Sequence, residues 1–174
     1  MNLRVSKYNP SFRDKNVNYN REEWTSVHDI GKQFVGKYLS SDEYLIWERA
    51  YVAFILCLFS SMQEDHLHLN YIEGGQHDWD KARKHAKKNH LDQILTEKIP
   101  VLGAAISLQE LSDIARVCLR EFVWAKVVVP SLFTLSFGYD YYVYVGGTSV
   151  ELTQEKIASR FGLFAERLLK SPYD

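Results

Sequence analysis

His66 and His68 stand two residues apart in the segment HLHLNYIE. In an extended strand that spacing puts both imidazoles on one side, about 6–7 Å apart. Together with His77, Glu64 or Asp65 they could hold a zinc ion, which favours imidazole and carboxylate ligands. The same pair could work as general base and general acid in a hydrolase or ribonuclease. That chemistry also needs a cationic or amide group for the developing charge, which the neighbouring sequence does not specify. Alternation with Leu67, Leu69 and Tyr71 equally describes the solvent side of a half-buried strand, and no H-E-x-x-H or cysteine cluster reinforces a metal.

Two other groups of residues carry chemical potential. The basic island WDKARKHAKKNH sets Lys81, Lys84 and Lys88 along one helical face, where they could meet a phosphate backbone or simply face water. Rings and carboxylates form the second group. Trp24 follows Glu22 and Glu23 in a polar stretch that also holds Asp29, either as a contact residue or folded into the core. In SFGYDYYVYVGG a period of two puts Tyr139, Tyr141, Val143 and Val145 on one face and Asp140, Tyr142 and Tyr144 on the other. Large rings with polar tips beside carboxylates suit a surface that receives Lys or Arg from a protein partner. No nucleophile elbow, P-loop or dinucleotide fingerprint is present, and no cofactor is implied. Cys57 and Cys118 fall within apolar helical patterns and read as buried free thiols.

The elements that would position these groups follow from periodicity and caps. Leu3 and Val5 mark a short N-terminal strand, and a long polar stretch runs from Asn9 to about Gly36. Ser40 and Glu43 form a capping box that opens a helix over 40–62, apolar on every side from Val52 to Phe59. The segment 66–73 alternates as a strand, and a helix with a thin apolar stripe follows from about Trp79. Ser107 and Glu110 cap a second strong helix over 107–125; Leu111, Ile114, Cys118 and Phe122 lie on its apolar face and Asp113, Arg116, Arg120 and Glu121 on the other. KVVVP and LFTLSFGYDYYVYVGG supply further strands, with Gly138 at a hairpin or bulge. A third helix is expected over 153–169, with Ile157, Phe161, Phe164 and Leu168 as its stripe and Gly162 as a weak point inside it. Without a regular strand–helix alternation, this order predicts an α+β fold in which an antiparallel sheet packs on the helices, as a single domain over 1–174.

The formal charge is −1, with one short basic island in a mildly acidic body. Residues 1–78 hold 8 Lys/Arg against 11 Asp/Glu, residues 79–90 hold 5 against 1, and residues 91–174 hold 8 against 10. That balance argues against a nucleic acid or an anionic membrane as partner. The N-terminus lacks the apolar region of a signal peptide, and the longest apolar run, Ala50–Phe59, is too short to span a bilayer. A reduced, cytoplasmic protein is expected.

Four segments, LRVSKYNPSFRD, EEWTSVHDIG, SLQELSDIARVCLREFVWAKV and FGYDYYVYVG, together resemble bacterial immunity proteins, the partners of contact-dependent growth inhibition and polymorphic toxins. The resemblance implies a non-enzymatic cytoplasmic inhibitor that binds a cognate toxin domain, often a nuclease, and covers its active site or substrate surface. Partner surfaces differ with the toxin in such families, so no interface residue carries over. Inhibitors of basic nucleases are often strongly acidic, and this nearly neutral chain leaves the toxin class open. The residues themselves point to Asp140, Tyr142 and Tyr144 as the contact surface, with Glu22, Glu23 and Asp29 as further candidates. A hydrolase or ribonuclease built on His66 and His68, and a nucleic-acid module built on the basic island, are the competing readings. Oligomeric state is not specified.

Overall fold

The computed structural model describes residues 2–16, 18–61, 67–147, 152–170 and 172–173, with backbone only at 61, 152 and 153. It is an α+β fold. Strand β1 (Asn2–Ser6) is followed by a small hairpin of β2 (Gln33–Phe34) and β3 (Lys37–Tyr38), helix α1 (Ser41–Ser61), β4 (His68–Glu73) and α2 (Gln76–Lys88). Then come α3 (Leu108–Leu119), β5 (Trp124–Val129), β6 (Phe133–Phe137), β7 (Val143–Gly147), α4 (Leu152–Arg160) and β8 (Phe164–Leu168). The main sheet is antiparallel, in the order β4-β5-β6-β7-β1-β8. The N-terminal strand thus lies between the last hairpin strand and the C-terminal strand.

Alternation sorts the two faces of this sheet. Leu3, Val5, Val127, Leu135, Val143 and Val145 are buried without exposure on the inner face. There they meet α1 and α3, which pack on each other; the Phe59 and Phe133 rings stand 5.1 Å apart, edge to face. On the outer face one register row runs through Tyr71, Lys126, Ser136, Tyr144, Arg4 and Glu166, crossing all six strands.

Several expectations are corrected. The helix expected to reach residue 125 ends at Leu119, and β5 begins at Trp124. Glu121 takes φ +62, the Glu121 amide donates to the Cys118 carbonyl at 2.9 Å, and the Phe122 amide donates to Val117 at 3.1 Å. These are the two bonds of a Schellman cap, which normally advertises itself with glycine. The helix expected over 153–169 is two elements. Gly162, at φ +72, is the same cap after α4, and the chain leaves it as edge strand β8. α2 starts at Gln76, three residues before Trp79, with the Gly75 amide donating to Asp78.

In β4 the register slips between Leu69 and Tyr71, so a bulge turns Asn70 and Tyr71 both outward and leaves Tyr71 exposed instead of paired in direction with Leu69. The charged face of α3 packs inward, with Asp113 and Arg120 fully buried. The long polar stretch is a packed loop. It holds 3-10 turns at Pro10–Phe12 and Val27–Asp29 and a bridge between Arg13 and Tyr19. Among the described residues, no helix is long and apolar enough to cross a membrane.

Candidate functional site

β6 and β7 are joined through Gly138–Tyr142, and the tyrosine string bends where an uninterrupted strand would have run straight. Asp140 and Tyr141 take φ +56 and +63, and the Tyr142 amide donates to the Tyr139 carbonyl at 3.2 Å. Two successive left-handed residues closed in this way form a type I′ turn. Aspartate tolerates the first of these positions, but Tyr141 stands where glycine is favoured, so the turn is strained there by about 1–2 kcal/mol. The core holds it in place. Tyr141 is buried with its ring 5.0 Å from Trp24, 5.5 Å from Tyr51 and 5.8 Å from Tyr44, and the Tyr51 hydroxyl donates to the Tyr141 carbonyl at 2.5 Å. The turn therefore separates the tyrosines differently from simple alternation: Tyr141 goes into the core, while Tyr139 is left exposed.

Beside the turn lies a cavity of about 210 Å³ lined by Tyr8, Tyr19, Arg21, Glu23, Thr25, Asp140 and Tyr142. The ring of Tyr8 stands 5.1 Å from that of Tyr19 and 5.5 Å from that of Tyr142. Glu23 is placed by two donors, the Tyr19 hydroxyl at 2.6 Å and the Lys7 ammonium at 3.1 Å. Burial and the Glu23 carboxylate push the Tyr19 phenol up to about 12. Lys7 is nearly inaccessible, its ammonium 4.3 Å from the centre of the Tyr8 ring and 4.1 Å from that of Trp24. Desolvation depresses its pKa, and Glu23 opposes that shift without cancelling it. Asp140 is exposed, and its carboxylate has no hydrogen-bond or ion-pair partner among the described residues. Arg21, on the same lining, lies with its guanidinium 3.4 Å above the Phe12 ring.

Three of the residues expected at a contact surface, Asp140, Tyr142 and Glu23, thus converge on one cavity. Tyr144 adjoins them, its ring 6.4 Å from Tyr142. The Tyr142 hydroxyl accepts from Arg13, and Arg13 and Arg4 both pair with Glu166. Glu22 is exposed. Asp29 is engaged within its own loop, where it accepts from the Thr25 and Ser26 amides and pairs with Lys32 at 2.8 Å. Its burial works to raise the carboxyl pKa, and these donors outweigh it and hold the group below its ordinary value. Trp24 is a core residue, not a surface anchor.

The histidine reading finds less. His66, Glu64 and Asp65 lie outside the described residues; His68 is half-buried with Nδ1 3.4 Å from the Gly103 carbonyl oxygen, and His77 is exposed on α2. Among the described residues no group of three or more His, Cys, Asp or Glu side chains is arranged for a metal ion. In the basic island, Lys81 pairs with Asp78, and Arg83, Lys84 and Lys87 border a groove of about 400 Å³ with Ile94.

Sequence reasoning missed Lys7, Tyr8 and Tyr19 as parts of the site. They come from the loop after β1, which the sheet order brings beside the β6–β7 turn, and periodicity carries no signal for such a meeting. Neither a scan against protein-family models nor searches of curated proteins and of solved structures returned a match.

Proposed function

We propose that the chain is a cytoplasmic, non-enzymatic immunity protein that binds and neutralises a cognate bacterial toxin domain, and that the cavity beside the β6–β7 turn receives a basic side chain of that toxin. The observation that carries the reading is the unpaired Asp140 carboxylate. It is held on a strained turn at a cavity walled by Tyr8, Tyr19 and Tyr142, with Glu23 on the same lining. Strain of this kind persists where the surrounding structure over-determines it, and it concentrates at working sites. Aromatic walls with carboxylates favour an ammonium or guanidinium, through the ring faces and through charge-assisted hydrogen bonds. Lys7, already seated against two rings and Glu23, is an internal precedent for that chemistry. Arg21 answers an acidic group of the partner beside the basic one.

The test is co-expression with the toxin domain encoded beside this chain, read by co-purification and by rescue of growth. Wild type should form a complex and restore growth; the absence of both sinks the proposal. Asp140→Lys should weaken the complex by about 30-fold or more, the effect of removing one interface hot spot. Because Asp140 is exposed, the variant's far-UV circular dichroism should match wild type.

A further inference from the structure

A second cavity, of about 420 Å³, lies on the outer face of the sheet, bordered by β4, β5, β6 and the segment at Tyr173. Its volume falls within the range of small-molecule sites, about 300–1,000 Å³. Its walls are aromatic: Trp124 and Tyr139 stand with ring centroids 5.4 Å apart, and Tyr139 is 65% exposed, leaving ring surface free. Its floor is polar. Lys126 and Ser136 are register partners on adjacent strands, and the Lys126 ammonium donates to the Tyr173 carbonyl at 3.1 Å. An ammonium has three donors, so that bond fixes Lys126 in place and leaves hydrogen-bonding capacity over.

The remaining side is built by the β4 bulge. It takes Asn70 out of the regular pairing and brings both Asn70 and Tyr71 to the lining, and the Tyr71 hydroxyl donates to Glu73 at 2.9 Å. Bulges re-aim side chains next to functional sites. Gly138 contributes in another way. A Cβ there would come within 2.6 Å of the Tyr144 ring and 3.2 Å of the Tyr173 hydroxyl, so a larger residue would displace the Tyr144 ring and crowd Tyr173.

We propose that this cleft binds a nucleoside phosphate. The base stacks on the free ring surface of Tyr139 and Trp124, the phosphate meets Lys126, and Asn70 and Glu73 read amide and amino groups on the base edge. Stacking with an aromatic wall, one cation and a small set of donors and acceptors is the recognition chemistry of a nucleotide. The site is separate from the acidic cavity proposed for the toxin, and neither proposal depends on the other. The nucleotide can be free or belong to a single-stranded RNA.

The experiment is isothermal titration calorimetry of the full chain with adenosine and guanosine 5′-monophosphate, the parent nucleosides, inorganic phosphate and a single-stranded RNA hexamer. A monophosphate should bind at submillimolar concentration, more tightly than its nucleoside. Tyr139→Ala should weaken it about tenfold, the loss of one base–ring stack, and Tyr139→Phe should retain it. Lys126→Gln should erase the advantage of the monophosphate over the nucleoside. Circular dichroism confirms that each variant is folded. A hexamer that binds more tightly than the monophosphate, with a steep salt dependence, identifies RNA as the source; a hexamer that binds no better identifies the free nucleotide. The proposal is overturned if neither monophosphate nor hexamer binds at millimolar concentration, or if Tyr139→Ala and Lys126→Gln bind as wild type does.

Discussion

Arg120 and Glu48 show how far a residue's type can mislead about its position. In the sequence, Glu48 lies early in a helix and Arg120 on the charged side of another, both ordinary surface placements. In the fold both side chains are fully buried. Arg120 donates to both Glu48 oxygens, at 2.7 and 2.6 Å, and to the Asp92 carbonyl at 2.8 Å, while the Tyr44 hydroxyl donates to the same carboxylate. Periodicity assigns residues to faces and cannot say that a charged face is covered; here α1 and α3 cover each other. A buried pair of this kind is close to neutral against an apolar substitute, and breaking it is costly because a charge is left stranded. Arg120→Met alone is therefore expected to cost about 3–5 kcal/mol in urea unfolding. The double replacement Glu48→Leu with Arg120→Met should recover most of that loss. If the single and double variants unfold at the same denaturant concentration, the cost lies in lost packing and not in the stranded carboxylate.

At the scale of elements, the sequence was most legible where caps begin helices and least legible where caps end them. The Ser107–Glu110 capping box forms with both of its bonds, and the Ser40 hydroxyl accepts the Glu43 amide at 3.1 Å. Two helices end with both Schellman bonds, at Glu121 and Gly162, and α2 ends at His90 with the outer one, the Leu91 amide donating to Ala86 at 2.9 Å; φ at the three residues lies between +55 and +72. Only Gly162 is the residue type that signals it, and Ile157, Phe161, Phe164 and Leu168 fit a helical spacing well enough to hide the break. The companion signal was present in the next residue each time: Leu91, Phe122 and Leu163 are apolar, as the position after a Schellman cap favours. This gives a paired prediction. A Cβ at Gly162 meets nothing within 4 Å, so Gly162→Ala tests backbone conformation alone and should cost about 1 kcal/mol. His90→Gly relieves the corresponding strain after α2 and should gain up to about 1 kcal/mol, less the entropy glycine loses on folding. Thermal unfolding of both variants checks the pair; equal shifts of the same sign would contradict it.

For the whole molecule, composition and element order were enough for the α+β class, and they could not supply the strand order. Leu3 and Val5 announce a strand but not its neighbours, because β1 pairs with residues 143–146 on one side and 164–168 on the other. Those contacts tie the two ends of the chain into one sheet. Arg4 of β1 and Arg13 of the following loop both pair with Glu166 of β8, and Trp24 of the same loop packs on Tyr141 beyond β6. Leu3 and Val5 of β1 share one core with residues of α1, α3, β5, β6 and β7, so partial unfolding should expose the inner face of the sheet and be disfavoured. One cooperative transition is therefore expected. Four tryptophans report on it from separate places: Trp24 in the packed loop, Trp47 in α1, Trp79 in α2 and Trp124 in β5. Urea unfolding followed by tryptophan fluorescence and by far-UV circular dichroism should give coincident curves with one midpoint. Single-tryptophan variants should then share that midpoint once each is corrected for its own change in stability. An early transition confined to Trp79 would mark α2 as an independent unit; one confined to Trp24 would detach the loop that carries Glu23 and lines the proposed toxin cavity, and with it the preorganisation on which that site depends.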